Sequence, residues 1–381
     1  MTPPRAYQPH RSKASLVILI LLAFLLLAAA VALALSIPEQ TVLPDATESV
    51  DLAAAAQLGF TCDATEAQRL YPFGQGIVKL THNRLAYLAL DGSEVFAREI
   101  DMVSPYAVVG NSRLLAADRG GTSFAIIDET GPLTTGTREG RIVGAVFGPG
   151  NLLALVEDRH DSTGVVAIVD STTGELQYEC HFPESGYVLS VQFTPDGQSF
   201  DVALVNADGL STRPVLKRFA LDGEAVGQRI LDVQGLYPVL NYDEGGQLVI
   251  SSDSNVTGVD YATGQPRFSI DLPRIESLSD TASGLVVLAG ERVSGKLGLY
   301  PLSGSGQMGL RTEVGEVATA PAVSGSLLAL GSSTRVLVYD AKTQSLRLDA
   351  NLAAEIVRLA FSDPQTLTVV TSTGVHRLTI Q

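Results

Sequence analysis

Few residues in this chain have the type and spacing needed to carry a reaction. The five histidines stand at positions 10, 82, 160, 181 and 376, with no His-x-x-x-His pair, and Cys62 and Cys180 are its only cysteines. Zinc sites are built on closely spaced ligand pairs of that kind, so a zinc pattern is missing. The densest polar run is Glu157-Asp158-Arg159-His160-Asp161. It could hold a metal or act as an acid–base pair, but it reads better as a solvated hairpin loop, because loops collect charge. Ser251-Ser252-Asp253-Ser254-Asn255 could surround a calcium ion, yet it lacks the glycine and terminal glutamate of a calcium loop and is read as a hairpin. The glycines of residues 144–150 (GAVFGPG) precede no helix N-terminus, which a phosphate cradle requires. No Gly-x-Ser-x-Gly elbow occurs. No catalytic residue, cofactor or metal ligand is therefore assigned. The remaining candidates are aromatic residues expected on loops, Tyr71, Phe73, Tyr106, Tyr187 and Tyr237. They form either a ring of contacts around one face, usable for binding, or packing between structural units.

The elements that would position these residues are short strands. Runs such as 165–169 (VVAIV), 327–330 (LLAL) and 336–339 (VLVY) are rich in branched residues, too short for helices, and bounded by Gly, Asp and Asn. Two kinds of turn recur in register. The first opens on Asp and closes on Gly: Asp91-Gly92, Asp128 to Gly131, Asp170 to Gly174, Asp222-Gly223 and Asp260 to Gly264, with Ser303-Gly304 and Asp340 to Gln344 as variants. The Asp side chain starts such a turn and Gly supplies the positive φ that ends it. The second kind falls at Gly76, Gly110, Gly150, Gly197, Gly246, Gly284, Gly325 and Pro364. The period is about 40 residues with four strands per unit, the pattern of a β-propeller blade.

Seven turns of the first kind and eight of the second favour eight four-stranded blades, with seven as the alternative. The chain ends after a third strand at residues 375–380 (VHRLTI), so the fourth strand of the last blade is expected from residues 50–62. With no tryptophan and only 6% aromatic residues, the aromatic stacking of quinone-binding propellers and the Trp-terminated Asp boxes of sialidases have no support.

The segment Leu90-Asp91-Gly92-Ser93-Glu94-Val95-Phe96, followed by Met102-Val103-Ser104-Pro105, Gly110, Ala117-Asp118-Arg119-Gly120-Gly121 and Ile127-Asp128, resembles an uncharacterised family of membrane-anchored bacterial propellers, a domain of unknown function within the WD-repeat and quinoprotein-like group. The likeness is specific over the first two blades and architectural beyond them. It implies a propeller fold and transfers no site.

Residues 16–35 are an unbroken apolar run, and no charge lies between Lys13 and Glu39. At 1.5 Å per residue, 20 residues span about 30 Å, the thickness of a bilayer core. Arg5, Arg11 and Lys13 precede it, so the N-terminus is expected to stay in the cytoplasm and the rest to face outward. A cleaved signal peptide is the alternative, with Ala32-Leu33-Ala34 as its cleavage site. The expected organisation is a basic tail (1–14), a transmembrane helix (15–37), a stalk containing Pro38 and Pro44 (38–49) and the propeller (50–381). Beyond residue 37 only 23 of the 26 basic residues remain against 41 acidic ones, a balance that repels nucleic acid. The two cysteines fit either one bridge or two separate thiols.

Together these features point to a single-pass protein of the plasma membrane whose outward domain is a non-catalytic scaffold for an envelope protein partner. A sensor for a small ligand in the central channel is the alternative, and a hydrolase or quinoprotein is disfavoured. Protease added to spheroplasts is expected to digest the chain beyond Glu39 and spare the tail. A protected domain refutes this orientation, and a mature N-terminus near Ser36 would reveal cleavage.

Overall fold

Strands whose two faces are both covered have no polar side to alternate with, and the middle strands of every blade show this. Leu114–Asp118, Leu248–Ser251 and Gly284–Gly290 are buried at every position. Outermost strands such as Ala225–Ile230 and Pro266–Asp271 alternate between exposed and half-buried residues. The computed structural model describes residues 56–381, except 111, 132, 161, 184–186, 207–211, 232, 234, 291–295 and 381. The basic tail, the expected transmembrane helix and the stalk lie outside the described residues. Among the described residues no helix is long and apolar enough to cross a membrane.

The described residues form 32 strands, β1 to β32 in chain order, in eight four-stranded antiparallel sheets. Blades 1 to 7 are each built from four consecutive strands, covering 70–99, 105–137, 141–181, 187–230, 239–271, 275–315 and 322–351. Blade 8 takes β30 (Ile356–Asp363), β31 (Thr366–Thr371) and β32 (Gly374–Thr379) from the C-terminal end and β1 (Ala56–Thr61) from the N-terminal end, in the order β1-β32-β31-β30. The protein is thus an all-β, eight-bladed propeller. First strands of successive blades touch one another, as do β14 (Tyr187–Phe193), β18 (Val239–Tyr242) and β22 (Ile275–Thr281), so they are the innermost strands around the axis.

Both expected turn families are present. The Asp-initiated turns join third to fourth strands, and the other family joins first to second strands. Asp128 Oδ1 accepts from Thr130 N at 2.7 Å and Asp170 Oδ1 from Thr172 N at 2.7 Å. Blade 6 departs from the expectation: Gly306, not Gly304, takes the positive φ of 83°. Serine replaces aspartate there, and the turn closes later, with Gly306 N donating to Ser303 O at 2.9 Å.

Each ring end collects its own kind of connection. At one end, which we term the crossing end, the fourth strand of a blade passes to the first strand of the next. Second-to-third strand turns lie there too: Ile142 N donates to Gly121 O across blades 2 and 3 at 2.7 Å. At the other, hairpin end, first-to-second and third-to-fourth turns meet. Ala282 N donates to Gly325 O between blades 6 and 7 at 2.8 Å, and Gln75 N to Glu129 Oε2 between blades 1 and 2 at 3.0 Å.

Ring closure rests on the antiparallel pairing of β1 with β32, in which Leu58 faces His376 and Phe60 faces Val375, with a bulge between Leu58 and Phe60. Residues 56–58 open β1 and are strand. A single helical turn, α1 (Ala64–Ala67), follows, capped by Asp63, whose carboxylate accepts from Glu66 N at 2.8 Å. Arg358 of β30 lies 4.0 Å over the Tyr71 ring of blade 1 and donates to Gln68 O at 3.0 Å and Leu70 O at 3.2 Å. The last blade is thereby clamped to the first.

Val375, Leu378 and Ile380 are all buried. Deleting residues 375–381 removes an inner strand, leaves β1 without a partner and β31 with one open edge, and strips roughly 1.5–3 kcal/mol of burial for each of the three side chains. That sum rivals the ~5–15 kcal/mol stability of a whole domain. The truncated chain is expected to aggregate or to melt far below the full chain in a calorimetric scan. An unchanged melting temperature would show that closure does not depend on β32.

Candidate interaction surface

The five aromatic candidates do not form one ring. Four lie in first strands rather than in loops: Tyr71 and Phe73 in β2 (Leu70–Phe73), Tyr106 in β6 (Pro105–Val109) and Tyr187 at the start of β14. Tyr237 precedes β18. Phe73 is buried in the cluster between blades 1 and 2, with Tyr71 packed against it. Tyr237 is buried between blades 4 and 5, its hydroxyl donating to Asn255 Oδ1 at 3.1 Å. Tyr106 is half-buried beneath Arg119, whose guanidinium carbon lies 4.7 Å from the ring centroid. Burial raises the Tyr106 phenol pKa. Tyr187 alone of the five is exposed.

Its neighbours around the ring are apolar residues that periodicity did not single out. At the crossing end, where first strands begin, Val103 is 91% exposed in blade 2, Val143 54% in blade 3, Tyr187 59% in blade 4 and Leu236 54% in blade 5. Four successive blades therefore each present an apolar side chain to solvent near the start of the first strand. Of the remaining blades, Arg274 and Glu276 in blade 6, Glu355 in blade 8 and Arg69 in blade 1 are exposed charges, while blade 7 carries exposed Ala318 and Ala320. The crossing end thus presents large apolar side chains on blades 2 to 5 and charged ones on blades 6, 8 and 1. A bulge between Ile142 and Gly144 in β10 (Arg141–Phe147) turns Val143 outward.

Blade 3 borders this arc with a buried ionic network. Glu157 and Arg159 end β11 (Leu152–Arg159) instead of lying in a loop, which corrects the solvated-hairpin reading for these two residues. The Glu157 side chain is wholly buried. It accepts from Arg138 Nε at 2.6 Å, Arg159 Nη2 at 2.8 Å and Gly140 N at 3.2 Å. Arg159 Nη2 also donates to Glu179 Oε1 at 2.6 Å, Arg138 pairs with the same carboxylate, and His181 Nε2 lies 3.0 Å from Glu179 Oε2. At its solvent side, Arg141 pairs with Asp158, beside exposed Glu139. Two guanidiniums against two carboxylates leave no net charge at the centre, and both carboxylates are engaged by these pairs. The network therefore fixes the blade 2–3 crossing and the first-strand start that carries Val143. A second lock joins blades 4 and 5: buried Asp201 accepts from Arg218 at 2.6 and 2.8 Å and from Tyr242 Oη at 2.8 Å, while Arg218 stacks 3.9 Å over Tyr261.

Among the described residues no group of three or more His, Cys, Asp or Glu is arranged to hold a metal. Cys62 in blade 8 and Cys180 in blade 3 are free thiols. The sequence held a signal for the network, since Glu157 and Arg159, like Glu179 and His181, sit two apart within strands and so share a face. Which face was covered could not be read from spacing.

A family model matches residues 58–380, nearly the whole described region. The chain belongs to the family of unknown function DUF5711. No curated protein matches its sequence. Among solved structures, BamB from Moraxella catarrhalis is similar with 14% identity, covering 86% of this chain and 100% of that one at a TM-score of 0.54. The Cps50 (Swd1) β-propeller domain of Myceliophteria thermophila shares 16% identity over 73% of this chain and 96% of its own, at 0.51. Hydrazine synthase of Kuenenia stuttgartiensis shares 15% over 73% and 94%, also at 0.51. At these identities the likeness is one of fold. An enzyme among these propellers shows that the ring does not itself choose between catalysis and binding.

The buried network predicts a specific sensitivity. Replacing Arg138 or Arg159 with Ala strands Glu157 as an unbalanced buried charge, and the expected loss in urea unfolding is about 3–5 kcal/mol. Burial pushes the Glu179 carboxyl up, but the hydrogen bond and charge of Arg159, with Arg138, outweigh it and hold its pKa low. Its contribution is complete above the ordinary value of 4.5 and is lost as pH falls through the depressed folded value. A stability profile that is flat on the acid side in wild type, or unchanged by Arg159→Ala, would refute this assignment.

Proposed function

We propose that this DUF5711 chain is a non-catalytic protein-interaction scaffold, held at the outer face of the plasma membrane by the apolar helix of residues 15–37. The apolar half of the crossing end is its docking face. The observation that carries the reading is the run of Val103, Val143, Tyr187 and Leu236 on four successive blades, each more than half exposed. Contiguous apolar side chains rimmed by charge are the anatomy of a protein interface, and aromatic residues dominate its energetics. Glu139, Arg141 and Asp158 supply a charged rim beside Val143. The partner is accordingly an envelope protein with an apolar contact face, and the acidic balance of the domain speaks against nucleic acid. Ligand capture in the central channel is a second reading, carried by an acidic group near the axis.

Cross-linking in native membranes, followed by identification of what co-purifies, tests the scaffold. Val103→Asp and Tyr187→Asp stand at exposed positions, where substitutions shift stability by only about 0.5 kcal/mol. Both are expected to abolish recovery of the partner, while Val95→Asp, on the exposed outer strand of blade 1, retains it. Undiminished recovery with the first two variants would refute the docking face.

A further inference from the structure

At the hairpin end of the axis, blades 5 and 6 bring a carboxyl and an amide into one cleft. In β18, Leu240 and Tyr242 pack into the cluster shared with blade 4. Strand alternation turns Val239 and Asn241 the other way, toward blade 6. Val239 packs there, and Asn241 Nδ2 donates to Leu278 O at 3.0 Å. In β22, Leu278 packs into the cluster between blades 5 and 6, so Asp280, two residues on, leans into the same cleft from the opposite wall. Both strands are innermost. Asp280 is open to water and has no hydrogen-bond or ionic partner among the described residues, although surrounding protein raises its pKa by desolvation.

We propose that this cleft is a binding site for a protonated primary amine, held by the Asp280 carboxylate and the Asn241 side-chain oxygen. The Leu278 carbonyl can only accept, so the Asn241 amide must present its nitrogen there, and its oxygen faces away, free to accept from a ligand. An ammonium carries three N–H donors on a compact charge, and one carboxylate with one amide oxygen suits it. A calcium-type ion takes roughly six to eight oxygens, which this pair does not supply. The adjoining turn of blade 5 adds negative potential. Glu244 reaches toward blade 6, where a Cβ built on Gly284 would lie 2.7 Å from its Oε1. Asp243 beside it is already paired with Arg267.

Calorimetric titration of the full-length chain with cadaverine, with Nα-acetyl-lysine methylamide and with calcium chloride tests the site. Both amines are expected to bind, and Asp280→Asn, which keeps the shape and removes the charge, to weaken them by roughly tenfold or more. An unchanged melting temperature confirms that this variant folds. Asn241→Leu is expected to give a smaller loss in the same direction, and Glu276→Gln, at an exposed acid paired with Arg274 on the same strand, none. Tighter binding of cadaverine than of the lysine derivative points to a free polyamine, and the reverse to a lysine of a partner chain. Absence of amine binding by the wild type, equal binding by Asp280→Asn, or calcium binding that depends on Asp280 while the amines fail to bind would overturn the proposal.

Discussion

The antiparallel pairing of β1 with β32 is the constraint on which the rest of the structure depends. A ring of blades is stable only when each sheet has a neighbour on both faces, and an open ring would expose two. Here the seam is closed inside a single sheet that contains both ends of the described chain, so opening it means breaking backbone hydrogen bonds as well as separating side chains. Arg358 adds a polar clamp across the boundary to blade 1, stacked on Tyr71 and bonded to carbonyls that follow α1. The guanidinium also reaches Ala67 O at 3.4 Å, one of the carbonyls that a helix end leaves without an intrahelical partner.

Once the ring is closed, position along a blade decides burial. Middle strands are largely dry on both faces, and outer strands alternate between exposed and half-buried residues. First strands face the axis. The two ends of the ring accordingly diverge. The crossing end has an apolar half, and the hairpin end of blades 5 and 6 carries a carboxyl without a partner among the described residues. Polar groups drawn into the wall are compensated where they are sealed, as Glu157 is by Arg138 and Arg159 and Asp201 is by Arg218 and Tyr242. A sealed carboxylate without such partners would be costly. Asp280 is tolerated because water still reaches it.

Much of the architecture is legible in the residues themselves. The recurrence of Asp and Gly every forty or so positions marks the third-to-fourth strand turns, since an Asp side chain can close a turn locally and Gly can adopt positive φ regardless of distant contacts. Short branched runs between the turns fix strands, and a last unit with three strands looks to the N-terminal side for its fourth, which the β1–β32 pairing supplies. These are local properties, so sequence alone determined the blade type and pointed to mixed closure, while it favoured eight blades over seven and the sheet pairing decided the count. The acidic balance beyond residue 37 is likewise a property of composition.

The surface belongs to the tertiary structure. Tyr106, Tyr187 and Tyr237 occupy similar places in their units, yet Tyr187 is exposed, Tyr106 lies under Arg119 and Tyr237 is sealed between blades. Spacing places a residue on a strand but does not say which neighbouring blade covers that face. Val103 and Leu236 look like core residues by type and stand in solvent, while Glu157 looks like surface and is buried, because bulges and crossings reset the alternation one blade at a time. Asn241 and Asp280 lie 39 positions apart in unrelated contexts. Only ring packing, which sets the first strands of blades 5 and 6 side by side, brings them to one cleft.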